Sequence, residues 1–338
     1  MTGQLDAELG LLELFAGVDA ESLRRVAAAM SARSVPAGQQ LVREGEPGSS
    51  FFVVLDGTVA VTRLGDDGEV HALGAFGPGS ILGEMSMLTN RVRRASVTAV
   101  DDARVAEGDE AAFAALLEVT PVHDRITAIT ARRLAENVRP VHTRLRDGTA
   151  VELRPLVPAD RGEFEEALNH LSAESLRRRF FTPGRPSARV IDHLVNINYV
   201  DHFAWRVATD PGGTALATGR YVRRHADPKR AEVAFGVVDE FHGRGLGTLL
   251  LGALAVAAQP AGIEVFEAEV LVDNSPMLAV FTKVGAEVSR SEPGVLAVQM
   301  ERAAAEQLID DVLRAKIRRA AREVVTAAGL ALAKSTGG

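Results

Sequence analysis

The chain has 338 residues, 46% apolar and 25% charged, with a net charge of −7 and no cysteine. That length argues for two domains of roughly 150 residues each, and the acidic balance argues against wide nucleic-acid contact, whose affinity comes from Lys and Arg on phosphates. Without cysteine there is no disulfide, no thiolate metal site and no cysteine nucleophile, a composition that fits the cytoplasm.

Residues 1–10 carry acids and neither a basic nor an apolar signal region, so no secretory leader is expected. Apolar residues at helical spacing (Leu11, Leu12, Leu14, Phe15, Leu23, Val26) predict helices within residues 9–30, with Asp19 as an N-cap. From 34 to 107, short β-rich runs at 40–42, 51–55, 58–62 and 96–100, parted by Gly, Pro and Asp, predict a small antiparallel, jelly-roll-like barrel. Helical spacing returns over 109–136, broken at Pro121. Residues 138–150, with Pro140 and Asp147-Gly148, lack a sustained period and read as a linker.

Beyond the linker, strands and helices alternate. Strands are expected at 151–155, 202–209, 216–223, 231–238, 265–272 and 295–300, and helices at 163–181, 245–258 and 276–284, giving a mixed-sheet unit. The longest apolar stretch, 249–258, is far short of the roughly 18 residues of a membrane span. The tail from 303 to 332 spaces Leu308, Val312, Leu313, Ile317, Ala320, Val324 and Ala328 on one helical face, which needs a cover and could act as a lid. The expected class is α+β: a sensor domain at 1–137, a linker at 138–150, a second domain at 151–302 and a helical tail at 303–338.

Two motifs carry chemistry. The first is Gly83-Glu84-Met85-Ser86-Met87-Leu88, followed by Arg93-Arg94-Ala95-Ser96-Val97. A guanidinium suits a phosphate because its planar donors form charge-assisted pairs. A glycine ahead of a short helical segment aims N–H groups at the same anion. Glu84 adds an acceptor for a hydroxyl, and Leu82, Met85 and Leu88 add apolar surface. Together these are the requirements of a cyclic nucleotide. With Glu44-Gly45-Glu46-Pro47-Gly48 and the run from Phe51 to Gly57 in order, residues 12–137 resemble the cyclic nucleotide-binding domain family. The resemblance implies that Glu84 binds the ribose hydroxyl and Arg93 the phosphate, with Gly83, Met85, Ser86, Arg94 and Ser96 around them. Arg94 departs from the small residue usual after the phosphate arginine, and the lack of a threonine there leans towards cAMP over cGMP.

The second motif is Ala231-Glu232-Val233-Ala234-Phe235-Gly236-Val237, then His242-Gly243-Arg244-Gly245-Leu246-Gly247. Glycines that follow a buried strand and open a helix hold a pyrophosphate on N–H groups. Their spacing is not the dinucleotide fingerprint, and they lie late in a mixed domain. Arg220-Tyr221-Val222 ahead and Leu271-Val272-Asp273-Asn274 behind make residues 150–300 resemble a Gcn5-related N-acetyltransferase. Arg177-Arg178-Arg179-Phe180-Phe181, Tyr199-Val200-Asp201 and Lys283-Val284-Gly285-Ala286 are similar to pieces of bacterial protein lysine acetyltransferases. The resemblance implies acetyl-CoA as co-substrate, with its pyrophosphate on Gly243, Arg244, Gly245, Leu246, Gly247 and Thr248. It further implies that Val237 and Val238 pair with the pantetheine arm and that Asn274 contacts its far end. His242 stands where Gln or Arg is common, and Phe281 where many relatives place a tyrosine acid.

A lysine amine of pKa about 10.4 is roughly 99.9% protonated at neutral pH, and freeing it at pH 7 costs about 4.6 kcal/mol. Glu232, between Ala231 and Val233 in an apolar strand, is the expected general base, its pKa raised by partial burial. The two motifs in this order resemble the actinobacterial cyclic-AMP-responsive protein lysine acetyltransferases. That resemblance implies acyl-CoA synthetases and universal stress proteins as acceptors. Two other readings use the same residues: a small-amine acetyltransferase, and a non-enzymatic, nucleotide-responsive interaction module. No helix-turn-helix follows the sensor, and His170, His193, His202 and His225 show no metal-ligand spacing. No metal, nucleic-acid or membrane partner is expected.

Overall fold

A computed structural model of the protein describes residues 2–65, 68–89, 92–182, 184–210 and 213–335. Two compact units divide the chain, Met1–Thr130 with Leu330–Gly338, and Ala131–Gly329.

The first unit opens with α1 (Thr2–Gly10) and α2 (Ala20–Ala28). The Asp19 carboxylate accepts the N–H groups of Glu21 and Ser22 at 3.0 and 2.9 Å, so α2 starts where the sequence predicts. Strands β1 (Met30–Val35), β2 (Gln40–Val42), β3 (Phe51–Asp56), β4 (Val59–Leu64), β5 (Val70–Phe76), β6 (Ile81–Leu82), β7 (Ser96–Ala99) and β8 (Ala103–Gly108) follow. Helix α3 (Glu84–Thr89) lies between β6 and β7, and α4 (Glu110–Leu117) and α5 (Thr120–Glu136) come after β8. The helix break expected at Pro121 falls earlier, at Glu118 and Val119. Proline sits instead in the first turn of α5, where a missing N–H leaves no bond unmade.

The strands form two four-stranded antiparallel sheets, β1-β8-β3-β6 and β2-β7-β4-β5, the two-sheet form of the jelly-roll-like arrangement expected, without closure into one barrel. Strand β5 pairs only with β4 and is exposed along most of its length, so the ladder does not continue round to the other sheet. Phe52, Val54, Leu82 and Val105 of one sheet share a core with Val42, Val59, Val61 and Val97 of the other. Phe51, Val53, Ile81 and Ala106, on the alternate face, pack with Leu9, Phe15, Phe113, Leu116 and Ile126. Both faces of β3 are covered, which is why the run from Phe51 to Leu55 has no polar alternation.

The second unit holds β9 (Val141–Arg144), β10 (Ala150–Pro155), α6 (Arg161–Asn169), α7 (Ala173–Phe180), α8 (Ala188–Val195), β11 (His202–Thr209), β12 (Ala215–Arg223) and β13 (Arg230–Val237). Next come α9 (Leu246–Ala258), β14 (Val265–Leu271), α10 (Ser275–Thr282), β15 (Glu287–Glu292), β16 (Val295–Glu301), α11 (Arg302–Glu306) and α12 (Asp311–Ser335). One eight-stranded sheet runs β15-β16-β14-β13-β12-β11-β10-β9, and within it only β13 and β14 are parallel. Helix α9 is apolar on every side because it is buried along its length.

Three expectations change. The stretch read as a linker contributes β9, whose Val141–Arg144 pair with Leu153–Ala150 of β10. Four residues are too short to show a period. The single helix expected over 163–181 is two, because the Ser172 hydroxyl accepts the N–H of Ser175 and starts α7 afresh. In the tail, Ile317, Ala320 and Val324 are buried, whereas Val312 is 68% exposed and lies off the apolar face. Among the described residues, no helix is long and apolar enough to cross a membrane.

Candidate functional site

Strands β13 and β14 pair in register only at Arg230↔Val265, Ala231↔Phe266 and Glu232↔Glu267. Beyond that rung β13 continues on β12 as far as Val237, while β14 stays on β16 as far as Leu271. The two parallel strands therefore part at Glu232 and leave the β14-facing edge of β13 without a ladder. A cleft of about 560 Å³ fills the gap, walled by Val233–Val237, Ala268–Val270, α7, α10 and the start of α9.

The glycine loop closes one end. Gly243 and Gly245 adopt φ of +74° and +99°, a region in which a side chain is strained. Gly245 caps α9 without a side-chain bond, so the first N–H groups of this 13-residue helix have no partner within it and face the cleft wall formed by Gly245, Leu246, Gly247 and Thr248. Thr248 accepts a bond from Lys283 Nζ at 3.1 Å. The arginine of the loop serves differently. Arg244 donates to Asp147 at 3.2 Å and to the Glu240 carbonyl at 2.9 Å, lies over the Phe241 ring, and does not line the cleft.

His242 Nε2 stands 2.9 Å from the Val237 carbonyl and ties the loop to the strand end. Val237 lines the cleft. Val238 does not: its side chain is buried and its N–H is donated to the Leu216 carbonyl at 2.9 Å, so it has no N–H to offer a chain in the cleft. Asn274 lines the cleft and caps α10 by accepting the Met277 N–H at 3.3 Å. Phe281 is buried against Phe235, an apolar contact with no hydroxyl to offer.

Glu232 is partly buried, as the strand position predicts. Its side chain is 43% exposed, and Arg224 Nη1, itself 44% exposed, stands 3.3 Å from Oε2. Arg179 of α7 also lines the cleft, and burial pushes its pKa down to about 10 against the pull of Glu232. Arg146, Arg178, Arg179 and Lys283 are cleft cations that the sequence reading missed as site residues. The Arg177-Arg178-Arg179 run was the one available signal. Arg146 sits at a hairpin tip that no motif marks.

In the first unit, Gly83 adopts φ of +82°, and a Cβ there would lie 2.5 Å from Arg93 Nη1 and 2.9 Å from the Ser50 carbonyl. Only glycine allows that approach. Arg93 is 7% exposed and donates through Nη1 to Ser86 Oγ (2.8 Å) and the Gly83 carbonyl (3.1 Å) and through Nη2 to the Ser50 carbonyl (2.6 Å). Burial lowers its pKa while Glu84 opposes the shift. Glu84 is 1% exposed, and Ser96 accepts the Glu44 N–H at 3.0 Å, joining the cassette to the Glu44–Gly48 turn. Met85 and Arg94 are partly buried beside them; Asn90 and Arg91 of the cassette lie outside the described residues.

His142, Glu152 and Asp210 bring three ligand-type atoms within 4.8 Å of one another, a grouping invisible to spacing because they come from β9, β10 and the turn after β11. Asp210 is hydrogen-bonded to His142 at 2.9 Å and Glu152 is paired with Arg206 at 3.3 Å, so the group reads as an ion-pair network.

Comparison with known proteins agrees with both halves. The profile of the cyclic nucleotide-binding domain matches residues 32–120, and that of the acetyltransferase (GNAT) domain matches residues 150–287. The chain is 33% identical over 325 residues to the acetyltransferase Pat of Mycolicibacterium smegmatis, covering 95% of this chain and 96% of that protein. A solved mutant of the cAMP-binding acyltransferase from Mycobacterium smegmatis matches with a TM-score of 0.50 at 31% identity, covering 97% of this chain and 98% of the other. A CRP-like cAMP-activated global transcriptional regulator of Mycobacterium tuberculosis is 26% identical over 131 residues, 38% of this chain and 58% of that protein.

Proposed function

The chain belongs to the family of acetyltransferases in which a cyclic nucleotide-binding domain precedes a GNAT domain, and from that premise we propose that it acetylates protein lysines under the control of cAMP. The observation that carries this reading is the parting of β13 and β14 at Glu232, with the N-terminus of α9 at the cleft they open.

Acetyl-CoA enters with its pyrophosphate on the N–H groups of the glycine loop, and Arg146 and Lys283 add cations. The pantetheine arm runs along the unladdered edge of β13 at Val237, and Asn274 contacts it further on. Glu232 takes the proton of the lysine ammonium, directly or through a water, and the freed amine attacks the thioester carbonyl carbon. The C–N bond forms, the nitrogen gives up its second proton to solvent, the C–S bond breaks, and CoA departs as a thiolate that takes a proton from solvent. Phe281 gives no acid, and a thiolate is a good enough leaving group to need none.

In the sensor, a nucleotide phosphate replaces Ser50 and Ser86 as the partner of Arg93, and Glu84 accepts the ribose hydroxyl. Coupling of about 1 to 3 kcal/mol between the sites corresponds to roughly 5- to 150-fold stimulation. Acyl-CoA synthetases and universal stress proteins are the acceptors to try first. The test is transfer of label from radiolabelled acetyl-CoA to these proteins, with cAMP, with cGMP and with neither. Label that reaches polyamines and no protein would favour the small-amine reading, and nucleotide-independent transfer would remove the regulatory part.

A further inference from the structure

Glu232 and Glu267 are partners on the last parallel rung and so face the same side of the sheet; Glu232 lines the cleft and Glu267 stands beside it, one rung partner away. Two neighbouring carboxylates repel and call for a cation between them. Arg224, from the turn between β12 and β13, supplies it: Nη1 lies 3.3 Å from Glu232 Oε2 and Nε 3.1 Å from Glu267 Oε2. The other oxygen of Glu267 is held separately, by Arg230 Nη1 at 2.5 Å, and Arg230 also donates to Gln299 at 3.1 Å.

We propose that Arg224 sets the affinity for the acceptor by occupying the place between Glu232 and Glu267 where the ε-ammonium of an acceptor lysine docks, so that each acceptor must displace it. This rests on the reading of Glu232 as general base for a lysine. An ammonium carries three donors and meets both free carboxylate oxygens as the guanidinium does. Arg224 is half-exposed on a flexible stem and leaves at small cost, the worth of an exposed ion pair. Glu267 stays compensated by Arg230 when it leaves, so one cation is exchanged for another. While Arg224 remains, Glu232 is occupied by a group that has no exchangeable role at neutral pH. The other charges facing Glu232 are Arg179 on α7 and Glu269, which lines the cleft on β14. Neither bridges the two carboxylates.

The experiment is steady-state transfer to Nα-acetyl-lysinamide by the full chain at saturating acetyl-CoA and cAMP. Arg224→Gln is expected to lower the acceptor KM about three- to fivefold with kcat within about twofold, the size of an exposed ion pair. Arg224→Lys keeps the charge and should behave as wild type in both respects. An unchanged or raised KM in Arg224→Gln, or a kcat loss that Arg224→Lys does not restore, would overturn the proposal. A wild-type chain that transfers nothing to this amine, or a Glu232→Gln variant with the wild-type rate, would instead reject the reading on which it rests.

Discussion

His202 should make the second unit sensitive to mild acid, and the size of the effect follows from its surroundings. The ring is buried on β11, with Arg220 Nη1 3.1 Å from its Nε2. A guanidinium only donates, so Nε2 must be the acceptor and the imidazole is neutral with its hydrogen on Nδ1. Burial, then Arg220, with smaller effects from His193 and Arg179, pushes the His202 pKa from 6.5 down to about 3. Between those values the unfolded chain binds a proton that the native chain does not, so stability present above pH 6.5 is lost as pH falls. At about 1.36 kcal/mol per unit, the loss reaches about 2 kcal/mol at pH 5. His202→Gln retains an acceptor for Arg220 without a titrating group. Urea unfolding followed by the fluorescence of Trp205, the only tryptophan and fully buried on the same strand, reads the difference directly. If wild type and His202→Gln lose the same stability between pH 7.5 and 5, the ring is not the source and the reasoning fails.

Glu232→Gln should lower kcat by about 100-fold while calorimetry gives an unchanged acetyl-CoA Kd, since removal of a general base acts on proton transfer and not on cofactor binding. Arg93→Ala should abolish cAMP binding by calorimetry and also lower the melting temperature of the first unit. It leaves the Ser50 carbonyl and the Ser86 hydroxyl oxygen without the Arg93 donor, and the Gly83 carbonyl with the Ser86 hydroxyl in place of two donors. Gly245→Ala forces a side chain into φ of +99° and should raise the acetyl-CoA KM by about tenfold, the equivalent of about 1.4 kcal/mol of strain at the loop. A normal KM in a folded Gly245→Ala chain would mean that the loop does not carry the pyrophosphate.

The long elements of the second unit were legible: strands at 202–209 and 265–272 and the helix at 245–258 differ from the observed bounds by a residue at most. Continuous apolar runs bounded by glycine and proline made them so. Short elements were not legible. Strand β5 is exposed along most of its length and β9 has four residues, so neither carries a hydrophobic period, and both are held by neighbours distant in sequence. Strand spacing announced the antiparallel, jelly-roll-like unit but not its division into two sheets, because it reveals how many strands there are and not whether the last ladder closes. At the site, Glu232, Asn274 and the loop glycines, all named from the motif, lie on the wall of one cleft. Arg244 and Val238 do not, since what withdraws them is Asp147 and Leu216, partners that no local pattern names. The half-exposed setting of Glu232 was legible as partial burial, since the strand buries the flanking alanine and valine and turns the glutamate to the opening; its Arg224 partner was not.

The hairpin of β9 and β10 bears on how this enzyme can be cut. Its tip carries Asp147, which anchors the loop arginine, and Arg146, whose side chain lies within 3.5 Å of where a Cβ on Gly245 would sit. A fragment trimmed to residues 150–287 would lose that clasp at one margin of the sheet and all of β16, the strand seated between β14 and β15, at the other. The bared flank of β10 would be sticky towards any extended peptide, its own kind included. Excised catalytic pieces should therefore begin no later than Val141 and run through Glu301; shorter ones would clump, and their silence would reflect a broken sheet and not a missing activator.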